Sequence, residues 1–81
     1  MYIKDSLIDK KVAFKQRENR VHFGVIRGVE PDGFWVSVPE MVQALRDDPS
    51  WSKAMAKLET QHPIFFLPTT SLDYLIVAEE Q

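Results

Sequence analysis

The chain has 81 residues, 44% of them hydrophobic, with no cysteine and ten Lys and Arg against twelve Asp and Glu, for a net charge of −2. That length makes one domain burying only about two-thirds of its unfolded-chain surface; the lack of cysteine excludes a disulfide framework and a thiolate metal site, and the acidic balance argues against holding a polyanion by bulk attraction. No apolar run approaches the ~18–20 residues of a bilayer span, and residues 1–5 lack the apolar stretch of a secretory signal, so a soluble, cytoplasmic protein without membrane contact is the expectation.

Residues 2–9 are short and mixed, and Ser6-Leu7-Ile8 fits either a helical turn or a lead-in that plugs one end of the fold. A strand starts at Lys11, with Val12, Phe14 and Gln16 on one side and Ala13 and Lys15 on the other. The polar run 16–20 turns the chain into a second strand over 21–27. The facing of that strand is open: Val21, Phe23 and Val25 share one parity, and Gly24 and Ile26 the other. A bulge near Gly24 would let both sets contribute to a core.

Glu30-Pro31-Asp32-Gly33 reads as a β-hairpin turn: proline presets φ, Asp bonds its own backbone, and Gly33 accepts a positive-φ corner. The third strand, 34–38, alternates cleanly. Phe34, Val36 and Val38 share one face, and Trp35 and Ser37 the other. After Pro39 the period becomes helical at Met41, Val42 and Leu45. Asp48 is a good N-cap with Pro49 at the first helical position. A stripe of Trp51, Ala54, Met55 and Leu58 then marks an amphipathic helix ending near Gln61, docked on the strands.

The unalternating run 64–68, Ile-Phe-Phe-Leu-Pro, predicts a strand buried on both faces, 69–71 a turn, 72–78 the last strand, and 79–81 a solvated end. The predicted fold is a single domain over 1–81, mainly β with a helical insertion at 39–62, in the order β-β-β-(α-α)-β-β. Five short strands with bent hairpins predict a closed or nearly closed small barrel, which removes the edges of so short a sheet.

Leu7-Ile8-Asp9-Lys10-Lys11-Val12, Gly24-Val25-Ile26-Arg27-Gly28-Val29-Glu30 and the segment from Phe66 through Leu67-Pro68-Thr69-Thr70-Ser71-Leu72-Asp73-Tyr74 to Leu75 together resemble the Sm-like superfamily. The resemblance implies a five-stranded SH3-like barrel that assembles into rings through its last two strands, in a superfamily many of whose members bind RNA. The Asn often found in the strand-three loop of that family has no counterpart near Asp32-Gly33-Phe34. Its typical Arg-Gly pair is replaced by Leu67-Pro68-Thr69, and the 39–62 insertion is long.

Nothing in the residues asks for catalysis. The three glycines stand singly rather than in a phosphate loop, and the serines lack a nucleophile-elbow context. His22 and His62 stand 40 positions apart, and structural or surface roles suit them better than a metal site; Asp47-Asp48 reads as a helix stop and a cap. The expectation is a non-enzyme with no cofactor and no metal. As a contact set, Lys15, Arg27 and Trp35 stand out, although the favoured reading packs Trp35 under the inserted helix against Met55 or Trp51. Ile64, Phe65, Leu67, Leu72 and Tyr74 are the expected interface between copies. The function expected is an oligomerising or protein-interaction module, partnered by its own copies or by another protein. The alternative is a ring-forming RNA binder, which the scattered cations do not favour.

Overall fold

The computed structural model describes residues 4–16 and 20–78; the centre of the first predicted turn and the 79–81 end lie outside the described residues. Strands β1 (Lys11–Gln16), β2 (Val21–Glu30), β3 (Gly33–Ser37), β4 (Phe65–Pro68) and β5 (Leu72–Val77) form one antiparallel sheet in the order β4-β3-β2-β1-β5. Helices α1 (Pro39–Arg46) and α2 (Pro49–Lys57) are inserted between β3 and β4. The hydrogen-bonded order is open, with β4 and β5 as its two edges.

The long strand β2 serves two neighbours. Val21 to Val25 pair with β1, and Val25 to Glu30 pair with β3. The register shifts between Ile26 and Gly28, so the bulge falls at Arg27 and not at Gly24. Before it, His22 and Ile26 are buried on the core side; after it the parity reverses and Val29 packs inward. Val21 and Phe23 are left on the outer face. Gly24 is instead a point of close approach, because a Cβ there would lie 2.5 Å from the Ser37 carbonyl oxygen and 2.9 Å from Val36 Cγ1.

The core is one cluster of Val12, Phe14, Ile26, Val36, Val38 and Leu67, with Leu7, Phe34, Met41, Phe65, Leu72, Leu75 and Val77 packed against it. Side chains so buried each contribute roughly 1.5–3 kcal/mol. The segment before β1 is a 3₁₀ turn (Lys4–Leu7) tied to the bulge: Asp9 N–H donates to the Ile26 carbonyl at 2.8 Å, and Ile26 N–H donates to the Lys10 carbonyl at 3.0 Å. A second 3₁₀ turn (Thr69–Ser71) links β4 to β5.

Several expectations need correction. Gly33 has no positive φ; Pro31 and Asp32 alone turn the chain between the paired Glu30 and Gly33. Gly33 is needed for space, since a Cβ would meet the Leu67 carbonyl oxygen at 2.5 Å and Phe66 Cζ at 2.6 Å. Strand β4 is not buried on both faces: Leu67 is in the core, while Ile64 just before the strand stays 47% exposed.

Trp35 lies not under α2 but beside Phe66, its pairing partner on β4. Finally, of the apolar stripe on α2 only Met55 is buried and Ala54 half-buried, leaving Trp51 56% and Leu58 73% exposed. The Asp48 cap is as expected, its carboxylate accepting from the N–H groups of Ser50 (2.9 Å) and Trp51 (3.3 Å). The helix ends earlier than Gln61. Thr60 N–H bonds the Met55 carbonyl, Glu59 N–H bonds the Ala56 carbonyl, and Glu59 takes the left-handed φ of 55° that such a stop requires.

Candidate functional site

The three predicted contact residues do not converge. Lys15 sits on the outer face of β1, paired with Val21 on one side and Tyr74 on the other. Arg27 is the bulged residue of β2, its Nη1 donating to Asp9 Oδ1 at 3.0 Å. Since Val21 and Arg27 lie on the same strand, the two residues stand six positions apart along it, at most about 20 Å of backbone at ~3.3 Å per residue. Trp35 is nearer Arg27, on the outer face of β3 opposite Gly28.

The predicted interface residues divide by face. Leu67 is fully committed to the chain's own core, and Phe65 and Leu72 pack against it from the edge strands. Ile64 and Tyr74 are exposed, and Tyr74 is joined by Ile76, at 64% and 63%. Ile76 pairs with Ala13, which pairs in turn with Phe23, so an apolar row crosses β5, β1 and β2. A hollow of about 230 Å³ lies along this row, lined chiefly by Ala13, Phe23, Ile76 and Val77.

Both sheet edges have outward-pointing backbone. Ala78 N–H bonds the Lys11 carbonyl at 2.8 Å, so the alternation of an antiparallel ladder points the N–H groups of Leu75 and Val77 away from β1. Thr69 N–H bonds the Asp32 carbonyl at 2.9 Å, which by the same alternation turns Phe66 N–H away from β3. Pro68 occupies the next outward position, where a missing N–H costs the sheet nothing.

A second apolar hollow, about 320 Å³, lies between the helices and the approach to β4, lined by Leu45, Trp51, Met55, Leu58, Ile64 and Phe65 among others. On the other side of the insertion α1 is locked to β2. Buried His22 lies tilted against Phe14 and donates from Nδ1 to Glu40 Oε1 at 2.9 Å; the same oxygen accepts from Phe23 N–H at 3.3 Å, and Oε2 from Arg20 at 3.5 Å. The hydrogen bond from His22 is the main cause holding the Glu40 carboxyl below its ordinary range, helped by Phe23 N–H and by the charges of His22 and Arg20, with burial opposing. Among the described residues no three His, Cys, Asp or Glu side chains gather to hold a metal ion, and no helix is long and apolar enough to cross a membrane.

Residue pattern alone missed the exposed row. The parity of Val21 and Phe23 could not be assigned until the bulge was placed at Arg27, and the partner of Ile76 depends on a long-range pairing. The signal available was the apolar run on both parities of 72–77. Comparison with models of known protein families, with curated proteins and with solved structures finds no match.

Proposed function

We propose that this chain is a non-catalytic, self-associating interaction domain whose copies join edge to edge, β5 of one against β4 of the next. The observation that carries the reading is the coincidence of two open edges with exposed hydrophobics beside each: Tyr74 and Ile76 on β5, and Ile64 leading into β4. Continuing the sheet across copies would pair the outward N–H groups of Leu75, Val77 and Phe66 and bury those side chains together. Because the two edges differ, the contact is heterologous, and repeated copies close into a ring if the rotation allows.

The Sm-like resemblance supports the same arrangement, since it implies a small barrel assembling through its last two strands. Strands β1 to β4 supply the core cluster and β5 packs Leu72, Leu75 and Val77 against it, which accords with a sheet curled round it. The RNA-binding alternative has less support. Lys15 stands far from Arg27 along the sheet, and Arg27 is engaged by Asp9.

Light scattering coupled to size exclusion tests the proposal. A species larger than one chain at micromolar concentration is expected, converted to monomer by Ile76→Lys without change in circular dichroism. A strictly monomeric wild type would overturn it.

A further inference from the structure

At the far end of the β2–β3 hairpin, the outer face of the sheet carries a different surface. The β2–β3 and β3–β4 registers place Gly28, Trp35 and Phe66 in one row, and Glu30, Gly33 and Pro68 in the next. Two glycines and a proline thus surround the aromatic pair and leave room above the sheet. The rings use that room. Trp35 leans over Gly28, where a Cβ would come within 3.3 Å of its Cδ1, and Phe66 lies over Gly33, where a Cβ would be 2.6 Å from its Cζ. The ring centroids are 5.0 Å apart and the planes 54° inclined, and Trp35 keeps 37% of its surface exposed. With Glu30 and Asp32 these rings line an open hollow of about 410 Å³. Neither carboxylate has a hydrogen-bond or ion-pair partner among the described residues, and no Lys or Arg lines the hollow.

We infer that this hollow receives the guanidinium group of an arginine side chain presented by a partner protein. Two aromatic faces attract a cation through their quadrupoles, and two unpaired carboxylates supply the counter-charge. The geometry selects among cations. A quaternary or methylated ammonium is held by a closed cage of rings, whereas two rings at an open angle offer one indole face on which a planar group can stack. Guanidinium is planar, stacks on aromatic faces and donates in a fork matching a carboxylate, while a lysine ammonium is a compact, strongly hydrated point charge. A free small molecule needs most of its surface buried to bind, which an open hollow does not provide; a side chain anchored by a neighbouring peptide does not. The site is built from residues of the hairpin and β4 alone.

The test is a titration of the ¹⁵N-labelled protein with three blocked peptides identical except for one central residue: arginine, lysine or citrulline, the neutral isostere of arginine. The arginine peptide should shift the Trp35 indole N–H and the backbone amides of residues 28–30, 32–35, 66 and 67, with a millimolar dissociation constant. The lysine peptide should bind at least about threefold more weakly, and citrulline should give no shifts. Glu30→Gln with Asp32→Asn alters only exposed side chains and should weaken arginine binding about tenfold while leaving the rest of the spectrum unchanged; Trp35→Ala should abolish it. Equal shifts from arginine and citrulline, tighter binding of lysine, shifts mapping elsewhere, or indifference to the carboxamide pair would each overturn the assignment.

Discussion

Glu40, in the first turn of α1, accepts from His22 Nδ1 of β2 at 2.9 Å, a polar contact that ties the start of the helical insertion to the sheet beside the packing of Met41 on the core. Its folded pKa is held below the ordinary 4.5. The stabilisation linked to this shift is therefore complete above about pH 4.5 and is lost as pH falls through the lower folded value. Glu40→Gln should melt below wild type at about pH 7, and the gap should close as the pH falls below 4.5 and Glu40 becomes protonated in the folded state. Melting curves of both proteins across that range check this; a constant gap would mean that the charge on Glu40 contributes nothing.

Gly33→Ala should destabilise the domain by about 1–3 kcal/mol, because the added methyl meets a backbone oxygen that cannot swing aside. Denaturant unfolding measures this. A turn that needed only a positive φ at this position would give the same loss at Gly33 with no displacement of Phe66, so the ring's chemical shifts separate the two causes.

Helix α2 should respond unequally along its apolar stripe. Met55→Ala empties a buried site and should cost about 2–5 kcal/mol, whereas Trp51→Ala removes a ring already more than half exposed and should cost less than about 1 kcal/mol. Thermal melts of the two variants compare them directly.

The contrast shows what the residue pattern contained. The alternation of 34–38 placed Val36 and Val38 inward and Trp35 outward because a strand's period is fixed by the backbone. The Asp48-Pro49 start of α2 was equally readable, since cap and first-turn chemistry are local. Which strands lie beside which is not local. The neighbour of Trp35 is Phe66, 31 positions away, and no periodicity announces that pairing. Gly33 reads as a turn residue in the sequence for the same reason: the obstacle that requires it lies on β4.

Nucleic acid should bind no tighter than about 10 μM at ~150 mM salt, the weak end that non-specific electrostatics supplies. Fluorescence anisotropy with short U-rich and A-rich oligonucleotides checks this, and sub-micromolar binding that weakens on Arg27→Ala or Trp35→Ala would promote the RNA reading.

Edge-to-edge assembly is most directly tested by amide hydrogen exchange at Leu75 and Val77, whose N–H groups point away from β1 to the open edge of the sheet. If β5 pairs with the next copy, both amides exchange slowly in concentrated protein, as slowly as those of Tyr74 and Ile76, and lose that protection on dilution. Fast exchange at Leu75 and Val77 at every concentration, beside protected neighbours, would contradict the proposed assembly.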